Sequence, residues 1–466
     1  MPMNNKRPQV KPVIHPDVEN FINKEKKNID LLLNKHGSPV HLIFPHIIDE
    51  NVNRLNNYFF AKKISGKIFY AHKANTSFAI LQTVKNCNIG VEVSSYHELK
   101  NAIKAGFIRE KIICNGPKNS DYLNLIKKIK PITAVDNLAE LNETAKNSLT
   151  DKIFIRFSNF FDESINIRAL KSRFGIAYQN KKKVMEILQS YQKLNFIGLS
   201  FHIDSTSILE KQIAIKKLIE FAIDLKKSGI AVKAVNIGGG LKINYVNSKD
   251  DWENFIQYLQ TAVLTNSDYL WNNHSFGYYV VNGRIRGDGS FYPYFNSQTL
   301  EQQLNDLLEF YIEEYKTSAR EIINDLMLDL YIEPGRMILD QTGITIAKII
   351  EVIDDENFYK IIADINYKNI TADQDIMVDP LLVAKKNKKQ LTNCFIFGNL
   401  CLENDIIFKR QIFFDYLPQK DDLLIFVNTA AYKMDFSDGF FIHHRLPQKI
   451  IIEKKPNGYN FATEKL

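Results

Sequence analysis

From about residue 46 to residue 336, short apolar runs alternate with stretches whose apolar positions recur at helical spacing. The runs at 68–72, 89–93, 111–115, 132–135, 152–157, 196–202, 232–237 and 328–333 have the length and apolar content of buried strands. The stretches between them read as helices. Examples are Y-H-E-L-K-N-A-I-K-A-G at 96–106 and K-Q-I-A-I-K-K-L-I-E-F-A-I-D-L-K-K-S-G at 211–229, each closed by a glycine. Eight strands in regular alternation with helices predict an α/β fold, a parallel (β/α)8 barrel.

The rhythm breaks once, between Gly240 and the strand at 328. The segment there is far longer than the roughly 30 residues a strand–helix–strand unit needs. It is expected as an insert at about 241–327, with a β-hairpin in the glycine- and aromatic-rich stretch 276–296 and a long helix at 298–325. Beyond about 340 the pattern turns β-rich, with runs at 344–354, 358–365, 421–428 and 448–454. A second, all-β domain of sandwich or barrel type is expected over 337–466, completed by an N-terminal strand within 13–45. The barrel is expected over 46–336, and residues 1–12 as a loose tail.

Composition narrows the function classes. Hydrophobic residues make up 45% and aromatic residues 12%, enough for packed interiors. The net charge of +7 is spread over 60 basic and 53 acidic residues, not gathered into the stripe of a nucleic-acid binder. The four cysteines (87, 114, 394 and 401) show no C-x-x-C spacing, so reduced thiols, no metal centre and a cytoplasmic location are expected. The polar start lacks the apolar core of a signal peptide, and no apolar run is long enough to cross a membrane.

In such barrels the chemistry lies at the C-terminal ends of the strands. There the sequence places Lys73, in F-Y-A-H-K-A-N; Glu92; Arg156; His202 and Ser205, in F-H-I-D-S; the triplet Gly238, Gly239 and Gly240; and Glu333, Gly335 and Arg336, in E-P-G-R. Each has an ordinary reading as a surface charge, a structural histidine or a tight turn. Their joint occurrence asks for a phosphorylated, ring-containing cofactor that reacts with an amine. Desolvation at a strand end would favour the neutral, nucleophilic form of Lys73, and the glycine N–H groups would cradle a phosphate.

These motifs resemble those of the pyridoxal phosphate-dependent decarboxylases of the alanine-racemase-like barrel fold, the group of ornithine and diaminopimelate decarboxylases. The resemblance runs from H-G-S-P-V-H-L at 36 to A-A-Y at 430–432, apart from the insert. It also rests on G-V-E-V-S-S-Y-H-E-L (90–99), S-R-F-G-I (172–176) and G-N-L-C-L-E-N-D (398–405). It implies pyridoxal 5'-phosphate held covalently by Lys73, with Glu92 near the lysine. Glu333 would face the ring nitrogen, His202 the ring face and Arg156 the ring's phenolic oxygen. Ser205, Gly239, Gly240, Gly335, Arg336 and Tyr432 would surround the phosphate. It further implies amino-acid decarboxylation by a head-to-tail homodimer in which Cys401 of one subunit reprotonates Cα in the other. The alternatives are a racemase or another reaction on the same fold, or a regulatory relative without catalysis.

Three positions depart from the family pattern. Asp204 stands where glycine is usual. Leu402 follows Cys401 where an acid usually meets the substrate's distal amine, leaving Glu403 or Asp405 for that role. Asp379, before Pro380, stands where diaminopimelate decarboxylases carry an arginine; an aspartate there would repel a distal carboxylate and favour a distal amine.

Overall fold

The computed structural model describes residues 7–147, 152–163, 167–168, 171–191, 193–203, 205–371, 375–384, 389–435 and 441–464. The chain forms two compact units. One comprises residues 48–242 and 298–338, the other residues up to 47, 243–297 and from 339 onward.

The first unit is the barrel. Its strands are Gly66–Ala71, Gly90–Val93, Ile112–Cys114, Ile132–Val135, Lys152–Ser158, Phe196–Phe201, Ala234–Asn236 and Asp329–Ile332. Each pairs in parallel with the next, and the eighth pairs with the first to close the ring. All eight fall on the apolar runs of the sequence. Inside the ring Phe69, Ile113, Ile132, Ala134, Phe154, Ile197 and Ala234 form one cluster. Tyr331 stacks on Phe69 with ring centroids 5.3 Å apart. The interior is therefore filled, and chemistry is left to the strand ends.

The expected long helix at 298–325 is instead two helices. Leu300–Leu308 starts with a capping box between Thr299 and Gln302, and Ala319–Asp325 starts with Ser318 accepting from the Glu321 N–H. Between them Tyr311–Ile312 pairs with Thr317–Ser318 as a small hairpin, its turn holding Lys316 at φ 53°. Aromatic and β-branched residues here favour extended backbone, and the Ser318 cap fixes a new helix start.

In the second unit the strands run Ile406–Tyr416, Lys389–Phe397, Phe358–Ala363, Gly343–Asp355, Val40–Ile43, Gln448–Lys455 and Gly458–Thr463 in spatial order. Leu423–Val427 also pairs with Gly343–Asp355. The predicted runs are all strands. Lys389–Phe397 and Ile406–Tyr416 were not expected, because charged and polar residues interrupt their apolar pattern. Residues 243–297, expected as part of a barrel insert, belong to this unit. Their aromatic residues explain why: Trp271 packs edge-on against Phe395 and Phe397, at 5.1 and 4.8 Å. The predicted hairpin is Tyr279–Val281 with Arg284–Arg286. Among the described residues no helix is long and apolar enough to cross a membrane.

Candidate active site

Glu333 follows the eighth barrel strand and is buried. Asn236 donates to its carboxylate at 2.7 Å and Asn115 at 3.1 Å. Burial, then the charge of Glu92, pushes its pKa up; the two amides and Arg156 oppose the rise. The result is a fixed carboxylate with raised proton affinity, suited to holding a proton on a ring nitrogen.

The glycine turn packs directly on this residue. A Cβ on Gly239 would lie 2.5 Å from the Glu333 carbonyl oxygen, and one on Gly238 would lie 3.0 Å from His202 Nδ1. Only glycines allow the turn to approach this closely. The N–H groups of Gly239, Gly240 and Leu241 have no acceptor among the described residues. Three such donors at a strand end form an anion cradle. His202 is held neutral, its pKa lowered to about 3 by burial and then by the charges of Lys73, Arg156 and Lys211. Ser205 accepts from the Ser207 N–H at 3.0 Å, and the Ser207 side chain in turn caps Ile208–Lys227. Asp204 lies outside the described residues.

Arg156 is buried at the end of the fifth strand and forms a two-pronged ion pair with Asp136, its Nη2 2.6 Å from the carboxylate. Its guanidinium lies 4.9 Å from the ring centroid of Phe174, which gives the S-R-F-G-I motif a positioning role. Gly335 is buried and Arg336 half-buried, both in the turn after Glu333.

Lys73 stands in the 3-10 turn His72–Ala74 that ends the first strand. The desolvation expected for it is not found, because its side chain is exposed. The turn carries it past the buried strand to the open end of the ring. Beside it, Glu92 is buried and accepts from Ser94 Oγ at 2.8 Å. Glu98 accepts from the Ser94 N–H at 2.6 Å. Burial raises the Glu98 pKa from 4.5 to about 7; Glu92 adds to the rise, while the Ser94 N–H and Lys73 oppose it. A raised carboxyl pKa means that the fold prefers the protonated form. Its favourable contribution is full below about pH 4.5 and is lost as pH rises through about 7. In urea titrations of the cofactor-free protein, Glu98→Gln should therefore lose less stability than wild type between pH 5 and pH 8. Equal losses would show that Glu98 is not the group responsible.

The remaining sequence candidates belong to the β-rich unit. Tyr432 is a bulky residue at φ 67°, a left-handed conformation that costs about 1–3 kcal/mol. Cys401, Leu402 and Glu403 are exposed on one loop. Two substrate candidates are corrected. Both Asp379 oxygens are taken inside the unit, by Arg410 Nη2 at 2.6 Å and the Val10 N–H at 2.8 Å, so burial and pairing remove it from substrate reading. Asp405 is buried and accepts from the Tyr367 N–H at 2.8 Å and the Leu400 N–H at 2.7 Å. It is the post of the loop that presents Cys401.

Sequence reasoning missed Asn115, Asn236, Asp136, Glu98 and Lys211. Asn236 had a signal, a lone amide inside the apolar run 232–237. Lys211 had one too. It lies on the buried stripe of its helix with Ala214, Ile215, Leu218, Phe221, Ala222 and Leu225.

An exposed amine, a neutral imidazole, an amide-held carboxylate and an open N–H cradle fit pyridoxal 5'-phosphate at its aldehyde, ring face, ring nitrogen and phosphate respectively. Comparison with known proteins agrees. The model of the pyridoxal-dependent decarboxylase, pyridoxal binding domain, matches residues 48–270. An uncharacterized protein, y4yA, from Sinorhizobium fredii is 26% identical over 91% of this chain and 90% of its own length. A diaminopimelate decarboxylase from Methanocaldococcus jannaschii is 24% identical over 91% of this chain and 88% of its own. The crystal structure of diaminopimelate decarboxylase from M. jannaschii in complex with L-lysine aligns with a TM-score of 0.69 and 21% identity, covering 93% of this chain and 91% of that one. Residues 48–270 thus match the pyridoxal-binding domain of the pyridoxal-dependent decarboxylases, and the chain shares the barrel and β-domain fold of the solved diaminopimelate decarboxylase.

Proposed function

We propose that this chain decarboxylates an α-amino acid whose side chain ends in an amine, as a homodimer in which Cys401 of each subunit serves the barrel of the other. The observation that carries the reading is the Glu333 carboxylate held by Asn115 and Asn236, with the open glycine turn packed against it. Pyridoxal 5'-phosphate, when bound, supplies the electron sink that lets the bond from Cα to the carboxylate break. Lys73 Nζ supplies the amine that holds the cofactor. Glu333 would hold a proton at the ring nitrogen, and the neutral imidazole of His202 would face the ring. Arg156, its charge balanced and its position fixed by Asp136, would lie near the ring's phenolic oxygen. Gly239, Gly240, Ser205, Gly335 and Arg336 would bind the phosphate.

The Cys401 thiol then returns a proton to Cα. The exposure of the Cys401–Glu403 loop, anchored by buried Asp405, supports a role outside its own unit. With Asp379 and Asp405 internally paired, Glu403 is the candidate left to meet a substrate amine. Carbon dioxide release should be measured with ornithine, lysine, arginine and diaminopimelate. A single-carboxylate, amine-ended substrate is expected to lead, and diaminopimelate as best substrate would overturn that choice. Mixing Lys73→Ala and Cys401→Ala subunits, each inactive alone, should restore about a quarter of wild-type activity through heterodimers with one intact site. No recovery on mixing would remove the shared-site dimer.

A further inference from the structure

Lys211 is a charge in a place that disfavours it. It lies in the first turn of Ile208–Lys227, where the helix dipole is positive, and its side chain is 2% exposed. Its ammonium donates to the carbonyl oxygens of Gly239 at 3.1 Å and Gly240 at 2.7 Å. Burial, and then Lys242, lowers its pKa to about 8, which leaves it mainly protonated at neutral pH. The cavity beneath the turn, lined by Lys211, Gly238, Gly239, Leu304 and Leu307, is about 10 Å³, at the lower limit for a single water. Nothing there can easily replace the ammonium.

Two bonds to successive carbonyls fix two successive peptide planes. In a trans peptide the N–H points opposite the C=O. The N–H groups of Gly240 and Leu241 therefore face away from Lys211, and neither has an acceptor among the described residues. Gly240 holds φ at 80°, and a Cβ on it would lie 2.5 Å from Lys211 Nζ, so turn and lysine require one another.

We propose that Lys211 is the positioning residue of the anion cradle: it draws two carbonyls inward, aims the N–H groups of Gly240 and Leu241 outward at a phosphate, and adds a positive charge behind them. This rests on the reading of the glycine turn as the phosphate site. The role predicts selectivity for the phosphate, not for the ring. Binding of pyridoxal 5'-phosphate and of pyridoxal is measured by the visible absorbance of the lysine-bound aldehyde, with inorganic phosphate as competitor.

Lys211→Met should bind pyridoxal 5'-phosphate about 10- to 100-fold more weakly, the range of a lost charge-assisted hydrogen bond, while pyridoxal binding holds within about twofold. Inorganic phosphate should compete with pyridoxal 5'-phosphate in wild type and hardly at all in the variant. Gly240→Ala, whose Cβ displaces the ammonium, should show the same selective loss and serves if Lys211→Met does not fold. Equal losses for both aldehydes, or no loss, would overturn the role and leave Lys211 a packing residue. If wild type bound neither aldehyde, the reading of the site would fail first and this role with it.

Discussion

Replacing Lys73 with alanine should abolish the visible absorbance of protein-bound pyridoxal 5'-phosphate and lower carbon dioxide release by about 10⁴-fold or more, on the order of 5 kcal/mol of transition-state stabilisation. Stability should change little, within about 0.5 kcal/mol, because the side chain is exposed and fills no part of the core. Two other lysines near the strand ends are committed elsewhere. Lys118 is ion-paired to Glu140 at 2.7 Å and donates to the Ala134 carbonyl at 2.8 Å. Lys211 is bound to the glycine turn. Borohydride reduction of the wild-type protein followed by peptide mapping should place the cofactor on Lys73 alone. A visible band that survives in Lys73→Ala, or a label on another lysine, would show that the amine has been assigned to the wrong strand.

The barrel was legible because its eight strands are largely buried, so each appears as a short, mainly apolar run between helical stretches. The second unit was legible only in part. Leu423–Val427 is apolar throughout and stood out, whereas Lys389–Phe397 and Ile406–Tyr416 carry Asn393, Lys409 and Arg410, which break the pattern. Site residues split along the same line. Lys73, Glu92, Arg156, His202, the glycines and Glu333 could be placed because each ends a strand that periodicity locates. Their supports could not. Asn236 reaches Glu333 from the adjacent strand and Asn115 from a strand farther round the ring, separated from it in sequence by 97 and 218 positions. Asp379 failed for the opposite reason: an acid beside a proline suggests an exposed turn, and nothing local shows that Arg410 lies against it.

That buried pair carries the largest expected stability effect. Arg410 is fully buried, its guanidinium 2.6 Å from Asp379 Oδ1 and 2.6 Å from the Met377 carbonyl, with Cζ 4.7 Å from the Phe255 ring centroid. Burial pushes the Asp379 pKa up against the pull of Arg410, so the carboxylate depends on its partner. Removing the arginine strands the acid in an apolar interior and deprives the Met377 carbonyl of a donor. Arg410→Met should therefore lower unfolding stability by about 3–5 kcal/mol in urea titrations followed through the β-rich unit. Replacing both members, Arg410→Met with Asp379→Leu, should recover much of the loss, because a dry apolar pair has no stranded charge. The recovery would be incomplete, since Asp379 also accepts from the Val10 N–H that ties the N-terminal segment down. The same double variant bears on substrate choice. If Asp379 has only this structural role, the order of preferred amino acids should match wild type, and a reversal toward diaminopimelate would return it to the substrate pocket.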